Sequence, residues 1–172
     1  MNEEYVVLVD SEGHSYGVAE KIEAHKSGLL HRAISVFLFD KDGRMLLQRR
    51  SASKYHAAGL WANSCCGHPR PGQFPIDAAV RRLQEELGIH SELHSLGHIC
   101  YEAIINEEMK ENEYVHLFAG SFTGSYSLNP DEVSEIHLEY PRSILSSDSP
   151  LRHLLMPWFK IYLDKLWAKD NS

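Results

Sequence analysis

The sequence has few cysteines, no long apolar run and a deficit of positive charge. Each shortage removes a class of protein. Only three cysteines occur among 172 residues, and two of them, Cys65 and Cys66, are adjacent. An odd, clustered set makes a poor disulfide framework and favours reduced thiols, one of which can be reactive. No apolar stretch approaches the roughly 20 residues needed to span a bilayer. The start, MNEEYVVLVDSEG, is acidic and lacks the basic opening and long apolar core of a secretory signal. The expectation is a cytoplasmic protein without a membrane partner. With 17 Lys+Arg against 24 Asp+Glu, the formal net charge is −7, which argues against general nucleic-acid binding. It leaves room for an anionic small molecule, because a few local cations and a metal ion can dominate one pocket.

Internal repeats, low-complexity tracts and Pro/Ser-rich linkers are also missing. With 43% hydrophobic residues, the chain reads as one globular domain over residues 1–172. Strands are expected at Tyr5–Asp10, Ala33–Asp40 and Met45–Gln48, with turns at Ser11–Gly13 and at Asp42-Gly43. Ser51–Gly59 reads as loop, Leu60–Cys66 as a returning strand or its end, and Gly67–Gly72 as loop. Pro75 suits the first turn of a helix. Ile76, Ala79, Val80, Leu83 and Leu87 are expected to give it a buried stripe, and Gly88 to end it. Strands follow at His98–Ile105 and Tyr114–Phe122, joined by the polar stretch Asn106–Asn112, and a further one at Glu135–Tyr140. Pro157 is expected to interrupt a C-terminal segment in which Trp158, Ile161, Tyr162, Leu163, Leu166 and Trp167 mark an amphipathic helix. The expected class is α/β (α+β), a mixed sheet with helices packed on it.

Three patterns carry chemistry. In WANSCCGHP, Cys66 and His68 are two apart, so an extended chain points both to one side. A zinc site, a Cys/His nucleophile pair and an ordinary buried cysteine all fit that pair. Glu111 and Glu113 bracket Asn112, and on a strand both carboxylates share a face. With His25, His31 and His68 they form a mixed N/O set better suited to Mn2+ or Mg2+ than to structural zinc. On the helix after GHPRPG, Arg82 and Glu86 share a face four residues apart. They read either as a solvated ion pair or as a holder for a cation bridging to a diphosphate. Arg49, Arg50 and Lys54 form a cationic cluster suited to phosphate.

The segments GLLHRAISVFLFD, LLQRRSASKYH, LWANSCCGHPRPG, RRLQEELG and ENEY occur in this order over nearly the whole chain. Together they resemble the type I isopentenyl-diphosphate isomerase family, a branch of the Nudix superfamily. The resemblance implies a Nudix-like mixed sheet between helices. It also implies interconversion of isopentenyl and dimethylallyl diphosphate by antarafacial protonation and deprotonation, in isoprenoid biosynthesis. By the same resemblance, His25, His31, His68, Glu111 and Glu113 hold Mn2+ or Mg2+, and Cys66 and Glu113 form the catalytic pair, assisted by Tyr101. Glu86 would share a second Mg2+ with the substrate diphosphate. Lys21, Arg49, Arg50, Lys54 and Arg82 would contact phosphate, and Trp158 would face a carbocation-like intermediate. Trp61 and Cys65 read as packing. The partner is then a small prenyl diphosphate, and the assembly a monomer or weak dimer.

Departures from a hydrolytic Nudix box sharpen this reading. Arg81-Arg82 stands where the box has Arg-Glu, and Gln73 stands at a glutamate position. Two carboxylates used for hydrolytic metals are therefore absent. Ala62 occupies a position where the isomerases often carry threonine. A Nudix hydrolase and a non-catalytic diphosphate-binding module are the competing expectations.

Overall fold

In the computed structural model, which describes residues 4–54 and 57–167, two hairpins are closed by the same device. In the first, Asp10 Oδ1 accepts the backbone N–H groups of Glu12 and His14, and Gly13 supplies a φ of 85°. In the second, Asp40 Oδ1 accepts those of Asp42 and Arg44, and Gly43 has φ 86°. Short carboxylates cap such turns, and glycine takes the left-handed position without a Cβ clash.

Thirteen elements follow in order. They are β1 (Tyr5–Val9), β2 (Ser15–Glu20), α1 (Lys21–Ser27), β3 (His31–Phe39), β4 (Met45–Arg50), β5 (Trp61–Ala62) and β6 (Cys65–Gly67). After them come α2 (Pro75–Leu87), β7 (His94–Ile104), β8 (Lys110–Ser121), β9 (Val133–Glu139), α3 (Pro141–Leu145) and α4 (Pro157–Leu166). The strands join one mixed sheet. Its ladder β2-β1-β3-β4-β5 is extended by β6 and β8 on β3, by β7 on β8 and by β9 on β4. Strands β3 and β8 run parallel, and every other pair of these strands is antiparallel.

Strand β3 is the spine, apolar on both faces as a covered strand should be. Ala33 and Phe37 face a core made with α4 and α3, including Ile144, Phe159, Tyr162 and Leu163. Ile34, Val36 and Leu38 face α2 through Ala78, Ala79, Leu83 and Leu87. Leu83 and Leu87 are essentially inaccessible to solvent. Burying each is worth roughly 1.5–3 kcal/mol, which fixes α2 on its face of the sheet.

The expected elements are present with three revisions. Ile76 is 41% exposed and lies outside the stripe of α2, while Ala78 and Glu86 are buried. The expected strand over Leu60–Cys66 is two short strands broken at Asn63-Ser64. Pro157 opens α4 as its first residue instead of interrupting it, since proline needs no N–H partner there. Strand β2 and helix α1 were not foreseen. Strand β2 is a sheet edge with almost every residue exposed, so it carries no buried alternation. Helix α1 has only seven residues, about two turns. Tyr55 and His56, inside the expected loop Ser51–Gly59, fall outside the described residues.

Candidate active site

The site is built from one rung of the sheet. His31 on β3 pairs in register with Glu113 on β8, and Glu113 pairs with Tyr101 on β7. Residues opposite one another on neighbouring strands project to the same face, so three functional side chains converge without any loop. The Tyr101 hydroxyl donates to Glu113 Oε1 at 2.6 Å. The other oxygen, Oε2, lies 3.0 Å from His31 Nε2 and 2.8 Å from His68 Nε2. Glu111, two residues earlier on the same face, brings Oε1 to 3.2 Å from His25 Nε2. Helix α1 carries His25, ended by Gly28 in the left-handed conformation.

Backbone carbonyl groups orient the rings. Lys21 O lies 2.8 Å from His25 Nδ1, and Leu29 O lies 2.8 Å from His31 Nδ1. A carbonyl only accepts, so each Nδ1 carries hydrogen and each neutral ring offers the Nε2 lone pair to the centre. Burial lowers the His25 pKa, and burial takes that of His68 down to about 4. For His31, burial is outweighed by Glu113 and the pKa rises. Burial also opposes ionisation of Glu113, but hydrogen bonds from His31 and His68 hold its carboxyl well below the usual range. Glu111 moves the opposite way, raised by burial and by the charge of Glu113.

These residues fit a metal ion. One ligand atom from each of His25, His31, His68 and Glu113 lies within 4.8 Å of all the others. His25 Nε2 and Glu111 Oε2 are buried without a hydrogen-bond partner, which is costly unless a cation completes them. Glu111 borders this group through His25.

Cys66 faces the same cavity, of about 790 Å³, as His25, His68, Tyr101, Glu111, Glu113, Trp158 and Tyr162. Burial pushes its thiol up to about 12. Its sulfur donates to Asn63 Oδ1 at 3.2 Å and lies 3.4 Å from Ser35 Oγ, which donates to Tyr162 OH at 2.7 Å. Cys65 turns to the opposite face and packs with α2. It is more than filler, since its thiol donates to Glu86 Oε1 at 3.5 Å.

Lys21, Arg50, Lys54, Arg82 and Glu86 line the mouth of the cavity. Lys21 pairs with Glu4 at 2.9 Å and Lys54 with Glu132 at 2.7 Å. Arg82 pairs with Glu86, whose Oε1 also accepts from Gln48 Nε2 at 2.8 Å. The pair is therefore not a solvated helix face, because Glu86 is only 6% exposed. Arg49 is the expected residue that the structure leaves apart. It is bound to Glu135 at 2.8 Å and to Gly59 O at 2.9 Å, and it does not line the cavity. Trp61 is in the core beneath.

Sequence reasoning missed Ser35, Asn63 and the Tyr162 hydroxyl. Each sits in an apolar or small-residue run where only its register against Cys66 gives it meaning. Gln73 acquires a reason: its Oε1 accepts from Arg70 N at 3.0 Å and from Arg81 Nη2 at 3.2 Å. Arg81 Nη2 also donates to His68 O at 3.2 Å, so the two side chains brace the loop that delivers His68.

Comparison with known proteins gives the family. Residues 29–159 match the NUDIX domain family. An isopentenyl-diphosphate Delta-isomerase of Serratia proteamaculans is 47% identical over 130 residues, covering 76% of this chain and 73% of that protein. Isopentenyl-diphosphate Delta-isomerase 1 of Aromatoleum aromaticum is 44% identical over 169 residues, covering 96% and 94%. Among solved structures, a MutT protein from Methanosarcina mazei superposes with a TM-score of 0.67 at 19% identity, over 83% of this chain and 96% of that one. The last shows the fold. The two relatives, with the thiol and the His/Glu cluster on one cavity, place the chain in the isopentenyl-diphosphate Delta-isomerase family of NUDIX-domain enzymes.

Proposed function

We propose that this protein interconverts isopentenyl and dimethylallyl diphosphate, with Cys66 and Glu113 as its two proton-transfer groups. The observation that carries the reading is one cavity holding a protonated thiol and an ionised carboxylate, with an indole beside them. Moving a double bond by one carbon needs a proton added at one end and removed at the other. Cys66, kept as a thiol by burial, is suited to deliver the proton. Glu113 is suited to receive the other, and the Tyr101 hydroxyl on Oε1 steadies it while its charge changes. Trp158 and the buried walls exclude water from a cationic intermediate, and the indole face favours positive charge.

His25, His31, His68, Glu111 and Glu113 are the residues to hold Mn2+ or Mg2+, which when bound supplies positive charge that orders the carboxylates. Lys21, Arg50, Lys54 and Arg82 are the cations for the diphosphate, and Glu86 is the carboxylate for a second Mg2+ arriving with it. Arg49 is not part of this proposal.

The test is incubation of the purified protein with isopentenyl diphosphate and Mg2+, following product by mass spectrometry and phosphate release in parallel. Dimethylallyl diphosphate without phosphate is expected. Phosphate with no isomer would return the chain to the hydrolases. Binding without any product, at every metal concentration, would make it a binding module.

A further inference from the structure

One buried hydroxyl stands where the proton-transfer chemistry leaves a gap. When a thiol gives its proton to carbon, the sulfur becomes an anion in a pocket that excludes water. A donor must reach it, or the charge is stranded without compensation. Among the described residues, Cys66 Sγ has two side-chain hydrogen-bond partners, Asn63 Oδ1 and Ser35 Oγ. Asn63 cannot serve as that donor. Its side chain is fully buried, and Nδ2 is committed to two backbone carbonyls, Val36 O at 3.0 Å and Cys65 O at 3.1 Å. Only its oxygen is left facing the thiol, so Asn63 accepts the S–H and aims it.

Ser35 is different. It pairs in register with Cys66 across β3 and β6, and it is fully buried. Its single hydrogen is directed at Tyr162 OH at 2.7 Å, while its oxygen already lies 3.4 Å from sulfur. Rotation about one C–O bond transfers that hydrogen from the phenol to the sulfur without moving a heavy atom.

We propose that Ser35 is a two-position donor, bonded to Tyr162 at rest and turned onto Cys66 Sγ as the thiol gives up its proton. The proposal rests on the isomerase reading above. The step breaks the S–H bond and forms C–H on the substrate. Ser35 keeps its own proton and changes only the acceptor, from phenol oxygen to thiolate. Tyr162 is the resting acceptor, and Asn63 sets the direction of the thiol.

The measurement is steady-state kinetics and metal content of Ser35→Ala and Tyr162→Phe beside the parent protein. Ser35→Ala is expected to lose at least about tenfold in kcat with KM and bound metal within twofold, because the donor acts only after charge develops. Tyr162→Phe removes the resting acceptor and leaves the donor, so it is expected to lose less kcat than Ser35→Ala. Retained kcat in Ser35→Ala, a KM rising in step with the loss, or an equal fall in Tyr162→Phe would overturn the proposal. Should Ser35→Ala fail to fold, the near-isosteric Ser35→Cys takes its place: its weak S–H donor is expected to give a kcat loss of the same kind with KM unchanged, and a retained kcat overturns the proposal. A parent protein that does not isomerise would instead defeat the functional reading itself.

Discussion

His31 and Glu113 meet in register across the parallel strands β3 and β8, with Nε2 3.0 Å from Oε2. At that distance either a protonated His31 ring donates to the carboxylate, or a cation joins the Nε2 lone pair of the neutral ring to it. This relationship ties the metal-binding expectation to the sheet itself. Removing bound metal with a chelator is expected to abolish isomerisation and to lower the melting temperature. At a free metal concentration a hundred times Kd, binding adds about 2.7 kcal/mol to stability. His25→Ala should lose most of that gain, read as the difference between melts with and without Mn2+. An identical melt with and without metal would contradict the assignment.

Cys66→Ala is expected to abolish isomerisation with stability reduced by only about 1 kcal/mol, since one small buried side chain shrinks. Cys65→Ala should cost a similar amount of stability but keep activity within about tenfold, since its thiol bonds Glu86 and the Cys66 carbonyl and packs against α2 on the face away from the cavity. Parallel assays and melts of the two variants check this. Equal, severe activity losses would remove the distinction between the adjacent thiols.

Gly67 lies under Arg82. A Cβ at this position would come within 2.7 Å of Arg82 Cγ, so the arginine must move. Gly67→Ala is therefore expected to raise KM for the diphosphate several-fold. Arg49→Ala, by contrast, should leave KM within twofold, because Arg49 is bound to Glu135 and Gly59 away from the cavity. Initial-rate kinetics on both variants distinguishes the two arginine sites.

Burial works against the Glu132 carboxylate, and Lys54 at 2.7 Å, with Arg82, outweighs it and holds the carboxyl below its ordinary value. A lowered folded pKa means the unfolded chain binds the proton first as pH falls. The stabilisation is present above the ordinary glutamate pKa of about 4.3 and disappears as pH drops through the lower folded value. Glu132→Gln should flatten the acid limb of a stability–pH curve in this window. Chemical denaturation between about pH 3 and 6 measures it.

Much of the site was legible because its residues lie in short, patterned stretches. Glu111 and Glu113 alternate along a strand, and both are buried on one face. Cys66 and His68 flank a glycine in extended chain, and both reach the cavity. What stayed hidden depends on long-range register. Nothing near Ser35 in the sequence points to Cys66 or Tyr162, which are 31 and 127 residues away. Arg49 was misplaced because three cations close in sequence look alike, whereas strand alternation sends Arg49 to the Glu135 side and Arg50 to the cavity. Ile76 looked like core on periodicity alone, yet it is exposed in the first turn of α2, where burial begins only at Ala78.

The break at Asn63-Ser64 has a consequence for how the site withstands change. It splits one strand into β5 and β6, and it leaves Cys65 and Cys66 looking into separate halves of the protein. Ser64 Oγ anchors the break by donating to Leu46 O at 2.6 Å and accepting the N–H of Leu38 at 2.8 Å. A one-residue slip past that anchor would exchange the two thiols between the proton-transfer chamber and the Glu86 side. Because a register slip changes no covalent bond and leaves both thiols reduced, mass and thiol count would not register the error, but activity would. Refolded preparations of this protein are therefore best judged by turnover, since a soluble, fully thiolated fraction could still have its sulfurs transposed.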